Sequence, residues 1–312
     1  MSIRILATSP LVGPHLQQLG AACPELCVAP FRSIAWRVGL TSAEALVVTL
    51  NESLSLVDLD LAPSLKVIGT FSVGTNHLPE SVCAARGIRI VNTPGVLTDA
   101  TADLALAMLL DLSRRLKEGE SLARSGSWKG WAPDQLLGVA LKGRVCGILG
   151  AGAIGKAFAK RVWALGMKPV FWSRDGKGAP VDFGAGIARR LPLDELLAQS
   201  AVLSLHCPLS AETRGLLNGQ RLHRLPPGAF IINTARGGIL DEDAAIQMLH
   251  RGTLGGVGMD VYDGEPHINP AWYSAPRALL LPHLGSATTE TRNAMAKLLC
   301  DGIAATLAGK LG

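Results

Sequence analysis

The chain has 312 residues, of which 48% are hydrophobic, 4% aromatic and 18% charged, and its formal net charge is +5. That length predicts two domains, with cores built from Leu, Val, Ile and Ala, as buried parallel strands and their covering helices require. Lys and Arg are scattered among acids, with neither a basic block nor a stacking aromatic series, which argues against a nucleic-acid partner; no apolar run approaches the length of a membrane span.

The elements follow in order. Residues 3–6 read as a first strand, 46–50 as a later one, and 66–70 as a third that ends at Phe71-Ser-Val-Gly74. A short helix over 80–86 precedes a strand at 88–91. Short β-branched runs between helical patterns predict an open parallel sheet of flavodoxin-like type over residues 1–95. Arg4 and the polar residues after Leu6 interrupt any apolar leader. Thr93-Pro94-Gly95 is a candidate hinge. A helical stretch over 100–123 follows, with apolar residues at 104, 106, 108, 109, 110 and 112. That is more than a one-sided surface helix needs, and burial against a second subunit or within the chain would each account for it.

An apolar strand at 145–149 runs directly into Gly150-Ala-Gly-Ala-Ile-Gly155, and a helical segment over 156–165 comes next. This is G-x-G-x-x-G in its strand–turn–helix context. Gly150 allows the tight turn, Gly152 lets backbone N–H groups approach a pyrophosphate, and Gly155 allows close helix–strand packing. With Ala153 and Ile154 these are the candidate cofactor residues of the turn, at a helix N-terminus that favours phosphate. Nearly half the chain precedes the turn. The expected fold is therefore α/β, two Rossmann/flavodoxin-like domains with parallel sheets. A nucleotide domain over 96–283 is inserted into a substrate domain made of 1–95 and 284–312.

Further strands are expected at 170–172, 202–205, 229–232, 256–261 and 279–281, with an irregular Gly-rich loop over 175–188. A C-terminal helix over 288–307 is long enough to return to the first domain. An NAD-binding Rossmann strand usually ends in an acid that takes the ribose hydroxyl. Here strand 170–172 ends in Ser173-Arg174, which suits the 2′-phosphate of NADP, and Lys177, Arg189 and Arg190 are further candidates. The competing reading makes Asp175 the acid in a shifted register, with NAD as cofactor. The six cysteines (23, 27, 83, 146, 207 and 300) form neither a C-x-x-C pair nor a zinc spacing, so a cytoplasmic protein without a metal site is expected.

Three polar loops complete a candidate site, with Arg236 after 229–232, Glu265 in a Gly/Pro loop after 256–261, and His283 after 279–281. Hydride transfer to a 2-keto acid needs a proton donor, and His283 can serve near neutral pH. A carboxylate such as Glu265 would orient that imidazole and stabilise its charged form. Arg236 could grip a substrate carboxylate in a fork and polarise the carbonyl.

Several segments, in this order, resemble the D-isomer-specific 2-hydroxyacid dehydrogenase family, and within it the glyoxylate/hydroxypyruvate reductase branch. They are Ser72-Val-Gly-Thr75, Val91-Asn-Thr-Pro-Gly-Val-Leu-Thr-Asp-Ala-Thr-Ala-Asp103, the glycine turn, Leu205-His-Cys-Pro-Leu209 and the three polar loops. The match covers almost everything from Phe71 onward. It implies NAD(P)H-dependent reduction of a small 2-keto acid to the D-2-hydroxy acid, with Arg236 binding substrate, Glu265 assisting and His283 as acid/base. It also implies that the backbone N–H groups of Val73 and Gly74 hold the substrate carboxylate, and that a cleft closes on it. Cofactor contacts are implied for Cys207, Pro208, Thr234, Ala235 and Asp260, the last to the nicotinamide carboxamide, beside the NADP-type ending Ser173-Arg174. A homodimer formed through the nucleotide domains, using the region after Ala100, is implied as well.

The chain departs from the family pattern at Asn76 and Ala201, where Asp is common, and residues 1–65 carry little motif. Trp128 and Trp131 could reach a neighbouring subunit's pocket or simply pack, and packing is the expectation. L-specific lactate or malate dehydrogenases place the glycine turn near the N-terminus, and formate dehydrogenase relatives carry Gln where Glu265 stands. The remaining alternative is a nucleotide-sensing corepressor on the same scaffold, against which stands the lack of long disordered tails or an added regulatory domain.

Overall fold

The computed structural model describes residues 4–22, 25–174 and 179–309. It divides into two compact units, Met1–Leu97 with Ser286–Gly312, and Thr98–Gly285. Unit 1 runs β1 (Arg4–Ala7), α1 (His15–Ala22), β2 (Glu25–Val28), α2 (Ile34–Leu40), β3 (Ala45–Val48), α3 (Leu56–Asp60), β4 (Val67–Thr70), α4 (Glu80–Ala85) and β5 (Arg89–Val91). Unit 2 contains α5 (Thr98–Arg114), α6 (Leu116–Arg124), β6 (Val145–Leu149), α7 (Ala153–Ala164), β7 (Lys168–Trp172), β8 (Val181–Asp182), β9 (Ile187–Ala188) and α8 (Leu193–Gln199). It continues through β10 (Val202–Leu205), α9 (Gly219–Leu222), β11 (Ala229–Asn233), α10 (Glu242–His250), β12 (Leu254–Met259) and β13 (Ala278–Leu280). The last helix, α11 (Thr289–Leu307), belongs to unit 1.

In unit 1 the strands form a parallel sheet in the order β2-β1-β3-β4-β5. Its side chains alternate between two cores, as pleating requires. Leu6, Leu46, Val48 and Ile68 pack with Trp36 and Leu40 of α2, while Ile5, Ala7, Val47 and Val67 pack with Leu299 and Ile303 of α11. The C-terminal helix therefore completes the first unit's core.

Unit 2 has a six-stranded parallel sheet, β13-β12-β11-β10-β6-β7. One face is covered by α8, α9 and α10, through residues such as Leu196, Leu222 and Ile246, and the other by α5 and α7, through Met108, Leu109, Leu112 and Phe158. Strand order reverses between β6 and β10, which makes their C-terminal ends the switch point where open α/β sheets bind ligands.

Some elements differ from the sequence-based expectation. Strand β2 carries only three apolar residues on a largely exposed sheet edge, too weak a pattern to read. The single helix expected over 100–123 is two helices, broken at Arg115 in the left-handed region (φ 57°). The break is held by Arg115 donating to both carboxylate oxygens of Glu118 (2.9 and 2.6 Å) and by Asp111 accepting from Lys117 N (2.8 Å). The loop over 175–188 contains the small antiparallel pair β8–β9, seated by the buried Phe183. β7 begins two residues early because it is an edge strand, which tolerates Pro169.

Met108, Leu109 and Leu112 of α5 are buried within unit 2 and Leu104, Leu106 and Leu110 are partly buried there, whereas α6 buries none. Trp128 and Trp131, expected to pack, stand 55% and 81% exposed, because the stretch beyond α6 lies on no core.

Candidate active site

Six loops leave the C-terminal edge of the unit 2 sheet, and the residues that matter sit on them. At the end of β6, Gly150 has φ +110°, which disfavours any residue with a Cβ. A Cβ there would also lie 2.6 Å from the His206 carbonyl oxygen across the switch point. Gly152 is the N-cap of α7 and supplies no side-chain cap, while Ala153 and Ile154 open the helix. The first peptide N–H groups of α7 are thus uncapped by a side chain, and nothing would meet a Cβ at Gly152 within 4 Å. The turn is open to an anion.

Ser173 and Arg174 follow β7. The Arg174 guanidinium faces Glu212 at 3.6 Å on the exposed surface. Asp175 and Lys177 lie outside the described residues. Arg189 is exposed, and Arg190 is bridged to Phe171. After β10, burial pushes the Cys207 thiol up to about 11, so it is a packing group and not a nucleophile. The Pro208 carbonyl accepts from Thr213 Oγ1 (2.7 Å).

The charged cluster comes from the loops after β11, β12 and β13. Asn233, fully buried, shapes the first loop: its Oδ1 accepts from Ala235 N (3.0 Å) and its Nδ2 donates to the Arg236 carbonyl (3.0 Å). Arg236 Nη1 donates to the Ala235 carbonyl (2.7 Å). Burial draws the Arg236 guanidinium below its ordinary value, and the charge of Glu265 opposes that. Gly237 lets the first loop touch the second: a Cβ at this position would lie 1.9 Å from the Tyr262 carbonyl carbon.

In the second loop the Glu265 carboxylate accepts from Tyr262 N (2.8 Å) and pairs with His283 Nδ1 (2.7 Å). Burial alone would raise Glu265, but the His283 hydrogen bond and charge, the Tyr262 N–H and the charge of Arg236 hold it below the usual carboxylate range. His283 itself has φ +56°. With Nδ1 engaged by Glu265, Nε2 is the nitrogen left to exchange a proton.

Asp260 is almost wholly buried, and its two oxygens accept from Leu284 N (2.6 Å) and Gly285 N (2.8 Å). Burial raises it, against those N–H groups and the charge of His283. Thr234 Oγ1, at the end of β11, is buried with no hydrogen-bond partner among the described residues. An orphaned hydroxyl and an uncapped helix start both fit a bound dinucleotide.

In unit 1 the loop after β4 is fixed by its own side chains. Ser72 Oγ donates to the Gly74 carbonyl (2.6 Å), Asn92 Nδ2 donates to the Val73 carbonyl (2.8 Å), and Thr70 Oγ1 bonds both Ser72 and His77 (2.9 Å each). The peptide planes at Val73 and Gly74 are thereby set.

One supporting residue escaped the sequence. Glu242, in the first turn of α10, reads as an ordinary surface acid, yet it is buried, accepts from Asp263 N (2.9 Å) and Trp272 Nε1 (2.6 Å), and so anchors the Glu265 loop. No local signal marks it. Among the described residues, no group of three or more His, Cys, Asp or Glu could hold a metal ion, and no helix is long and apolar enough to cross a membrane.

Comparison with known proteins gives concordant results. A family model described as "D-isomer specific 2-hydroxyacid dehydrogenase, NAD binding domain" matches residues 106–285. The glyoxylate reductase of Thermococcus litoralis is 40% identical over 273 residues, covering 86% of this chain and 82% of that protein. Among solved structures, a protein of Thermus thermophilus superposes with a TM-score of 0.90 at 40% identity, over 98% of this chain and 97% of that one. An NADPH-dependent glyoxylate/hydroxypyruvate reductase of Sinorhizobium meliloti, solved with NADP and malonate, gives 0.86 at 32% identity, over 99% of this chain and 94% of that one.

Proposed function

This chain belongs to the D-isomer-specific 2-hydroxyacid dehydrogenase family, and from that premise we propose that it reduces a small 2-keto acid of the glyoxylate or hydroxypyruvate type to the D-2-hydroxy acid, using NADPH in preference to NADH. The observation that carries this reading is the His283–Glu265 pair at 2.7 Å beside Arg236, on the same sheet edge as the glycine turn.

The bound nicotinamide would supply the hydride, with its pyrophosphate on Gly150, Gly152, Ala153, Ile154 and Gly155 and its nicotinamide end toward Thr234, Ala235 and Asp260. Arg236 holds the substrate carboxylate and polarises the keto oxygen. In unit 1, the Val73 and Gly74 backbone N–H groups are of a kind that binds a carboxylate. His283 donates the Nε2 proton to the oxygen as it becomes an alkoxide, while Glu265, kept ionised, accepts the Nδ1–H and fixes the ring. In the reverse direction the same nitrogen removes the hydroxyl proton.

Ser173 and Arg174 support the preference for NADPH, because a guanidinium and a hydroxyl recognise a 2′-phosphate. The NADPH dependence of the Sinorhizobium relative is consistent with that reading. The exposed Leu116, Trp128, Trp131 and Leu137, on and just after a helix with no buried residue, support a homodimer through this region.

The test is a steady-state assay of glyoxylate, hydroxypyruvate, pyruvate and phenylpyruvate with each cofactor. Rapid NADPH oxidation with a small keto acid is expected, and no turnover with any pair despite measurable cofactor binding would favour a nucleotide-sensing role. Arg174→Ala is expected to raise the KM for NADPH about tenfold or more, the worth of one charge-assisted contact, and to spare NADH. Equal weakening of both cofactors would remove Arg174 from 2′-phosphate recognition.

A further inference from the structure

The segment from Val91 to Asp103, conspicuous in the sequence, has no place in the mechanism above, yet one of its side chains reaches the histidine loop. Thr101, in the first turn of α5, is 4% exposed, and its hydroxyl donates to the Gly285 carbonyl at 3.1 Å. Gly285 is gripped from two sides. A Cβ there would lie 3.4 Å from both Thr101 Oγ1 and Asp260 Oδ2, and its own N–H donates to Asp260 (2.8 Å). Leu284 N–H goes to the other Asp260 oxygen (2.6 Å), and His283 N–H to the Asp260 carbonyl (3.0 Å). Three successive N–H groups and the closing carbonyl of residues 283–285 are therefore all engaged. Such over-determination is what a non-glycine residue needs to hold the left-handed backbone seen at His283.

The first turns of α5 are tied at the other side to α7, the helix that begins at the dinucleotide turn. Arg161 of α7 donates from Nη2 to Asp99 (3.0 Å) and from Nε to Asp103 (2.6 Å). A continuous path of bonds thus runs from the His283 segment through Thr101 and the start of α5 to the cofactor helix, all within unit 2.

We propose that Thr101 is a positioning residue. Its hydroxyl holds the 283–285 segment against α5, and α5 registers the His283 imidazole against the helix that receives the cofactor. The proposal rests on His283 being the proton donor. Thr101 touches neither reactant in this scheme; it acts through the backbone that carries His283.

The experiment compares Thr101→Val, which keeps the shape and removes the donor, with Thr101→Ser, which keeps the donor. Turnover is measured with NADPH and the best keto acid, and NADPH affinity is followed by fluorescence titration. Expected for Thr101→Val is a fall in kcat of about ten- to a hundredfold, the scale of a misplaced catalytic group. KM for both reactants and cofactor affinity should stay within about twofold. Thr101→Ser should restore most of kcat. If Thr101→Val does not fold, Thr101→Ala carries the same comparison.

Wild-type turnover in Thr101→Val would overturn the proposal, as would a loss confined to KM. So would a Thr101→Ser variant as poor as Thr101→Val, because packing alone would then account for the residue. His283→Ala, run in parallel, separates the two layers. If it retains ordinary turnover, the acid/base reading fails and this proposal with it. If it is inactive while Thr101→Val is unimpaired, only the positioning role fails.

Discussion

At the switch point, Gly150 and Gly155 allow close backbone approach and Gly152 leaves open space, whereas the loops after β11, β12 and β13 contribute a guanidinium, two carboxylates and an imidazole, Asp260 buried and the other three half-buried. Both regions sit on one edge of one sheet, but they are vulnerable to different things. On the proposed reading the turn works through N–H groups that every residue has, so side-chain chemistry there matters little and side-chain volume matters a great deal. The cluster works through charges that must be desolvated and satisfied at once, so each carboxylate is anchored by backbone N–H groups or by His283. The turn is fragile to added carbon alone, the cluster to lost charge as well.

The largest expected effect falls on the charged side. His283→Ala removes the proposed proton donor and should lower kcat by about a thousandfold, within the range for general acid–base groups. NADPH affinity, which the proposal places on the backbone side, should stay within about twofold. A variant that lost cofactor binding while keeping ordinary turnover would show that the two regions are not separable in this way.

Two glycine-to-alanine changes sharpen the contrast further. Gly237 belongs to the charged side, where it lets the Arg236 loop meet the Tyr262 backbone at a distance no Cβ could share. Gly237→Ala must push those loops apart. It should cut kcat about a hundredfold and destabilise the fold by about 1–3 kcal/mol. Gly152→Ala adds its methyl into open space at an ordinary φ of −74°. Thermal stability should be nearly unchanged, and the KM for NADPH should rise about tenfold because the methyl would lie in the proposed path of the pyrophosphate. If Gly152→Ala left the NADPH KM untouched, the uncapped start of α7 would not be where the phosphates bind.

The same division governs what can be read from the chain. The turn is contiguous, Val145 to Gly155, so its strand, glycines and helix appear in one window, and the resulting β6 matches the expected strand residue for residue. Arg236, Glu265 and His283 could be named from their place after apolar runs. Their mutual geometry could not, because it depends on strand order and on Gly237. Asp260 could be carried over as a cofactor contact, while its two bonds to residues 284 and 285 are visible only in three dimensions. Glu242 had no signal at all, since nothing in a first-turn Glu announces burial beneath Trp272. The break at Arg115 escaped because no glycine or proline marks it and the apolar spacing continues toward it.

A last prediction tests His206, a titratable side chain on the backbone side. His206 lies against Phe158 (ring centroids 5.1 Å), bonds Ser204 Oγ through Nε2 (2.8 Å), and has no partner at its buried Nδ1 among the described residues. Burial pushes it down to about 3. An unfolded chain takes up that proton near pH 6.5, so between roughly 6.5 and 3 the unfolded state binds a proton that the folded state refuses. Stability therefore falls as pH drops through this window, with a slope from this residue approaching about 1.4 kcal/mol per pH unit. Glu265, held below its ordinary range, remains ionised through the upper part of the window, and the raised carboxylates of Asp260 and Glu242 are common to both proteins. Urea melts of wild type and His206→Asn from pH 7 to 4.5 should nearly coincide in trend above pH 6.5 and diverge below it, the variant losing less stability per unit. Parallel curves would mean that His206 takes up its proton in the folded state, and that the wall behind Gly150 carries charge after all.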